Sequence, residues 1–305
     1  MKYIIICGPT CSGKTGLGIR LARKYNGEII GADSRQIYRR IDIGTAKPEP
    51  HEYTGLKYHL IDFIELNEEF SAYQFCGIAR QLIKAVLENG KTPIVVGGTG
   101  LYLKALTEGL FEGPKADYQY RTMLENIAHS EGIETLHKRL MEIDPEAANR
   151  IKPKDRQRII RALEIHHLTG KPISFLQKAG KTETWGRPLW IGLNPPRNLL
   201  YNNINKRVEQ MLYRGWEQEL LELEQWIEHL RKRKVVGYND LIEYIYDKKI
   251  GREEAIERVK QHHRNYAKRQ VTWFRKVPNI HWFDPTADGF LSKVNEICDE
   301  YLKRA

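Results

Sequence analysis

The segment GPTCSGKT, residues 8–15, follows directly on the apolar run Tyr3-Ile4-Ile5-Ile6-Cys7 and precedes Leu17, Leu21, Ala22 and Tyr25 at helical spacing. It fits GxxxxGK[ST], and a strand before it with a helix after it is the context in which this pattern cradles phosphate. Backbone N–H groups of residues 10–15 can wrap an anion, while Lys14 adds charge and the helix N-terminus adds a dipole. The candidate diphosphate- or nucleotide-binding residues are therefore Gly8, Pro9, Thr10, Cys11, Ser12, Gly13, Lys14 and Thr15, with the Thr15 hydroxyl placed to ligate Mg²⁺.

Such a loop demands a buried parallel sheet, and the sequence supplies more strands. Glu28-Ile29-Ile30 and Pro93-Ile94-Val95-Val96 are short apolar runs, separated by a helical pattern over 71–88 that Asn89-Gly90 stops. After Phe111-Glu112-Gly113-Pro114 the pattern changes, and 117–180 shows only helical periodicity. Leu189 to Leu193 reads as a strand again, 200–276 as helices and 279–283 as a last short strand. The expected fold is α/β, a P-loop NTPase-like parallel sheet core with a helical insertion domain and a helical C-terminal region. The expected divisions are a core over 1–112, an insertion over 113–187 and a return to the core with a basic helical region over 188–305.

Strand-end loops gather around the ligand crevice of a parallel sheet. A nucleotide-hydrolysing enzyme places an acid at such a strand end, but Ile94-Val95-Val96 runs into Gly97-Gly98-Thr99, with no carboxylate before Glu108. This favours a diphosphate cradle whose chemistry need not be phosphoryl transfer. Asp33, just beyond the second strand, is either a general base facing the cradle or an N-cap for the segment that follows. Thr99 is either a ligand contact or a turn residue. The loop Ile43 to Pro48 has no independent meaning at this level.

Lys plus Arg exceed Asp plus Glu by 49 − 39 = 10, which favours a polyanionic partner. The excess concentrates in 151–161, in the run Arg231 to Lys234, and in 252–276. On a helix the last segment puts Ile256, Val259, His263, Tyr266, Gln270 and Phe274 on one side, with Lys260, Arg264, Lys268 and Arg275 on a separate arc. The adjacent pairs His166-His167 and His262-His263 point apart on a helix and cannot chelate one metal. No apolar run is long enough for a membrane span. The four cysteines form no CxxC pair, and the motif at Gly8 leaves no room for a targeting peptide, so a cytoplasmic protein is expected.

Together these residues resemble the tRNA dimethylallyltransferase (tRNA isopentenyltransferase) family, of bacterial type. The similarity rests on GPTCSGKT at 8–15, DSRQIYRRIDIGTAKP at 33–48, HLID at 59–62, VVGGTGLYLKAL at 95–106, DRQRIIRALEI at 155–165 and NYAKRQVTWFR at 265–275. The resemblance implies transfer of a dimethylallyl group from dimethylallyl diphosphate to N6 of the adenosine immediately 3′ of the anticodon, in tRNAs reading codons that begin with U. It further implies Mg²⁺ as cofactor and the tRNA anticodon stem–loop as partner; separately from the resemblance, no membrane partner and a monomer are expected. Asp33 and Thr99 would be catalytic. Asp33, Ser34, Arg35, Gln36, Thr99, Arg121, Gln157, Arg158, Ile159, Ile160 and Arg161 would contact tRNA. Alternative readings are a P-loop phosphotransferase and a prenyltransferase acting on a free adenine nucleotide. Two places depart from the family pattern: the charged segment 215–237, and His263 ahead of the YAKRQ string. Both bear on tRNA preference rather than on the chemistry.

Overall fold

The computed structural model describes residues 1–179 and 185–303. Its strands are β1 (Lys2–Cys7), β2 (Gly27–Gly31), β3 (Tyr58–His59), β4 (Thr92–Val96), β5 (Arg187–Leu193) and β6 (His281–Phe283). They form one sheet in the order β3-β2-β4-β1-β5-β6, with every pair parallel. Register follows the apolar runs: Ile4 lies opposite Ile94 and Leu189, and Ile30 opposite Val95. The isoleucines of β1 are fully buried, as a strand covered on both faces requires.

The chain divides into two compact units, Met1–Thr107 with Gly186–Ala305, and Glu108–Trp185. In the first unit, Ile4, Ile6, Ile94, Val96 and Ile191 pack against Leu17 and Leu21 of the helix Lys14–Lys24 and against Val294 and Cys298 of the helix Phe290–Lys303. A second core joins Ile37 and Ile41 to Trp216, Leu220, Leu230 and Tyr238. The sequence pattern does not show β3, because two residues carry no periodicity. What makes it a strand is pairing of Tyr58 and His59 with Ile29 and Ile30.

The second unit is helical, with Tyr118–Ser130, Ile133–Ile143, Pro145–Arg150, Arg156–Thr169 and Ile173–Ala179. Leu124, Leu136, Leu140, Ile159 and Leu163 meet in its core. The helical pattern read over 117–180 ends at residue 180, which lies outside the described residues. At its centre the fully buried Glu164 accepts from Arg121 Nε (2.8 Å) and Nη2 (2.9 Å), Arg161 Nη1 (2.5 Å) and the Asp117 N–H (2.7 Å). Burial alone would push its pKa up; the bonds from Arg121, Arg161 and Asp117 outweigh that and hold it below the usual glutamate range.

Glu164→Ala strands two guanidinium groups and should cost about 3–5 kcal/mol in urea unfolding. With a depressed folded pKa, the carboxylate's contribution is present above the ordinary glutamate pKa and is lost as pH falls through the lower folded value. Glu164→Gln should therefore flatten that limb of the acid-stability curve. An unchanged limb would assign the acid sensitivity elsewhere.

Candidate active site

The loops after β1, β2 and β4 all leave the same edge of the sheet. Gly8 enters the phosphate loop with φ +142°, and a Cβ there would lie 2.4 Å from the Leu193 carbonyl oxygen. Cys11 and Gly13 are also left-handed (φ 59° and 88°), which turns the chain tightly ahead of the helix Lys14–Lys24. Among the described residues, the N–H groups of Cys11 to Gly16 donate to no backbone carbonyl, and the first such bond of the helix is from the Leu17 N–H to Gly13 at 3.1 Å. The Ser12 hydroxyl is buried without a partner. The Thr10 N–H differs from the sequence expectation: it is already committed to Gln270 Oε1 at 2.8 Å.

Lys14 Nζ bonds the Pro9 carbonyl at 2.5 Å. Burial pushes its pKa down to about 8, against the opposing pull of the nearby Asp33 carboxylate. A second cation stands beside it. Arg207, on the helix Arg197–Tyr213, brings Nη1 within 3.5 Å of Thr10 Oγ1 and of Cys11 Sγ, and its Nη2 donates to the Ala46 carbonyl at 3.3 Å. No motif marks Arg207 in the sequence. The only signal available was an arginine on a helix following a parallel strand.

Of the two sequence readings of Asp33, the structure displays the capping geometry directly. Its Oδ1 accepts the Arg35 N–H at 2.8 Å and the Gln36 N–H at 3.4 Å, which is the capping role. Its charge also acts on Lys14 and on the phenols of Tyr58, Tyr102 and Tyr266. Burial pushes all three phenols up, and Asp33 adds to the rise in each, so they stay protonated at neutral pH. Thr99 Oγ1 accepts the Ser34 N–H at 2.9 Å and also meets the Tyr266 hydroxyl. Thr99 thus ties the turn after β2 to the turn after β4. Gln36 Nε2 reaches the carbonyls of Thr45 (3.1 Å) and Ala46 (2.9 Å).

The helix Arg252–Phe274 braces this arrangement. Gln270 is 5% exposed; besides holding Thr10 it donates Nε2 to the Gly98 carbonyl at 3.0 Å, linking the phosphate loop to the Gly97-Gly98-Thr99 turn. A Cβ on Gly98 would meet Gln270 Nε2 at 2.2 Å, and one on Gly100 would meet Trp273 at 2.2 Å. Helical periodicity puts Gln270 on the packed side of this helix. It could not show that the packed side faces a ligand loop.

The basic segments are less free than their composition implied. Lys260 is paired with Glu209 (2.9 Å) and Glu257 (3.2 Å), and Arg264 with Asn205 (2.7 Å), leaving Lys268 and Arg269 exposed on that helix and Arg275 exposed just beyond its end. In the run Arg231 to Lys234, Arg231 pairs with Asp247, and Arg233 is locked onto Tyr38 and the Leu66 and Glu68 carbonyls. His263 is buried and held near a pKa of about 4 by that burial. In the helical unit Gln157 and Arg158 face outward, with Arg158 paired to Asp155 at 3.2 Å. Ile159 and Ile160 lie in the core, and Arg121 and Arg161 are bound to Glu164.

Among the described residues, no three His, Cys, Asp or Glu side chains group as a metal cluster. Mg²⁺ at a phosphate loop instead takes one or two protein oxygens with phosphate oxygens and water. The Thr15 hydroxyl, one residue into the helix Lys14–Lys24, fits that role and bonds no protein group among the described residues. No helix of the described residues is long and apolar enough to cross a membrane.

Comparison with known proteins converges on one family. Residues 36–277 match the IPP transferase family model. A tRNA dimethylallyltransferase from Geobacillus thermodenitrificans is 44% identical over 299 residues, 97% of this chain and 95% of that protein. The crystal structure of the full-length tRNA isopentenylpyrophosphate transferase from Bacillus halodurans is 38% identical, with TM-score 0.68 over 99% of this chain and 97% of that one. A eukaryotic dimethylallyltransferase acting on tRNA aligns with TM-score 0.80 at 30% identity, covering 99% of this chain and 79% of that one. With its phosphate loop, Asp33 and Thr99 gathered at one edge of a parallel sheet, the chain belongs to the tRNA dimethylallyltransferase family of prenyltransferases.

Proposed function

We propose that this chain transfers a dimethylallyl group from dimethylallyl diphosphate to N6 of the adenosine immediately 3′ of the anticodon, in tRNAs reading codons that begin with U. The observation that carries this is the convergence of a diphosphate cradle, two cations and one carboxylate, with no acid following β4. An exocyclic adenine amine is a poor nucleophile, since its lone pair is delocalised into the ring. Catalysis must therefore help the leaving group depart and remove the amine proton.

The C1–O bond of the donor breaks, the N6–C1 bond forms, and the N6 proton goes to the Asp33 carboxylate. The loop N–H groups, Lys14 and Arg207 receive the negative charge that builds on the departing diphosphate. The Thr15 hydroxyl would hold Mg²⁺ at this loop, and the ion would supply further neutralisation of the diphosphate charge. Thr99 keeps Asp33 and its turn in register with the loop after β4. An adenine inside an anticodon loop must be unstacked to enter such a site. Ser34, Arg35 and Gln36 in the core unit, and Gln157 and Arg158 with the Arg121 and Arg161 pair in the helical unit, are the proposed tRNA contacts. The protein acts in this reading as a cytoplasmic monomer.

Mass spectrometry of an anticodon stem–loop incubated with protein, Mg²⁺ and dimethylallyl diphosphate tests the reading. One dimethylallyl group on the adenosine beside the anticodon is expected. Transfer to free AMP instead would make this a nucleotide prenyltransferase, and phosphoryl transfer from ATP would make it a phosphotransferase. Arg158→Ala should also weaken RNA binding and lower the log–log salt slope by about 0.7 to 0.9. An unchanged slope would remove Arg158, the most outward of these arginines with 64% of its side chain exposed, from the interface.

A further inference from the structure

Two stretches remain without a role: the loop Ile43 to Pro48, and the charged segment 215–237. In the structure they meet. The Glu219 carboxylate accepts three successive backbone N–H groups, Asp42 (2.8 Å), Ile43 (2.7 Å) and Gly44 (3.3 Å), together with the Tyr238 hydroxyl at 2.5 Å. Trp216 and Tyr238 close over the same loop so tightly that a Cβ on Gly44 would lie 2.1 Å from Trp216 Nε1 and 2.5 Å from the Tyr238 ring. Gly237 (φ +87°) is equally confined, with a Cβ placed 2.4 Å from Trp216. The departure at 215–237 is thus a socket built around one loop.

What that loop presents is the reason it matters. Beyond Gly44 the chain turns through left-handed Ala46 (φ 49°), which aims the Thr45 and Ala46 carbonyls back toward the site. Gln36 Nε2 binds both carbonyls, and Arg207 Nη2 binds that of Ala46 while its Nη1 reaches Thr10 and Cys11 in the phosphate loop. A guanidinium anchored at one end by a fixed carbonyl is pre-oriented at the other.

We propose that Glu219 is a positioning residue: by fixing the 42–46 backbone it sets the Ala46 carbonyl that orients Arg207 toward the diphosphate. This rests on the reading of the phosphate loop as a diphosphate cradle. Glu219 touches no substrate and acts on the diphosphate through Arg207; the same loop also holds Gln36 through the Thr45 and Ala46 carbonyls, so its effect falls mainly, not solely, on the diphosphate half of the site.

The test is calorimetric binding of inorganic diphosphate with Mg²⁺ to the full chain, as a double-mutant cycle. Arg207→Ala and Glu219→Ala should each weaken binding about tenfold. The double variant should be no weaker than Arg207→Ala alone. In turnover assays, KM for dimethylallyl diphosphate should rise in Glu219→Ala by more than KM for the RNA does. Multiplicative losses in the double variant, wild-type affinity in Glu219→Ala, or equal rises in both KM values would overturn the proposal. If Glu219→Ala does not fold, Glu219→Gln replaces it: it keeps the side-chain volume, and while its one amide oxygen can still accept from the Asp42 and Ile43 N–H groups, its NH₂ group faces the Gly44 N–H. A wild-type protein that binds no diphosphate overturns both this proposal and the cradle it rests on, a result separable from failure of the cycle alone.

Discussion

Asp33→Asn should lower kcat by about 10²- to 10⁴-fold, the usual contribution of a positioned general base, while leaving RNA affinity near that of the wild type. The choice of asparagine matters because Asp33 has two jobs. Its Oδ1 holds the Arg35 and Gln36 N–H groups, and an amide oxygen can keep both bonds. What the amide cannot do is hold a proton as a carboxylate does. Asp33→Ala removes both functions and should also loosen the turn, at the roughly 0.5–2 kcal/mol typical of a lost cap. The neighbouring groups cannot stand in. Tyr58, Tyr102 and Tyr266 have phenols driven up by burial, and Lys14 is a cation at neutral pH. Steady-state kinetics with an anticodon stem–loop, paired with RNA binding by anisotropy, separates the outcomes. Full turnover in the Asn variant would leave Asp33 as a cap only. Intact turnover with lost RNA binding would make it an RNA contact and nothing more.

How far the sequence could be read follows from how local each feature is. The phosphate loop, the strands flanking it and the helix after it are contiguous, so their pattern carries both fold and chemistry. Asp33 and Thr99 were visible as strand-end residues because parallel sheets collect their loops at one edge. Arg207 and Gln270 were not. Each reaches the phosphate loop from a distant helix, and no spacing rule links residue 10 to residue 207 or 270. Charge composition points to a polyanionic partner but does not show which basic side chains are free to meet it. The excess of 10 positive charges is real, yet Arg121, Arg161, Arg231, Arg233 and Lys260 spend theirs on internal carboxylates and carbonyls. Ile159 and Ile160 sit inside a string that resembles an RNA-contacting one, but helical geometry turns them into the core.

Lys14→Ala should lower kcat/KM for dimethylallyl diphosphate by about 10²- to 10³-fold, as expected when a donor to developing negative charge is removed from a partly desolvated site. The pH dependence of the wild type carries the same information without a mutation. Burial brings the Lys14 pKa down to about 8 in the free protein, with Asp33 resisting the fall. Below that value the ammonium is charged and the cradle is complete; as pH rises through it the cation is lost. Since kcat/KM reports the free enzyme, it should fall about tenfold by one pH unit above the Lys14 value. Bound diphosphate stabilises the ammonium, so kcat, which reports the complex, should hold to higher pH. Lys14→Arg separates charge from geometry: its guanidinium stays protonated throughout, so its profile should be flat over this range even though its rate is lower. A wild-type kcat/KM that stays level to pH 9.5 would mean that Lys14 keeps its proton and that the diphosphate site is wetter than its packing implies. A fall that persists unchanged in Lys14→Arg would assign the titration to another group in the site. Between them, the two profiles decide whether the second cation at the cradle, Arg207, is sufficient for leaving-group stabilisation or only completes what Lys14 begins.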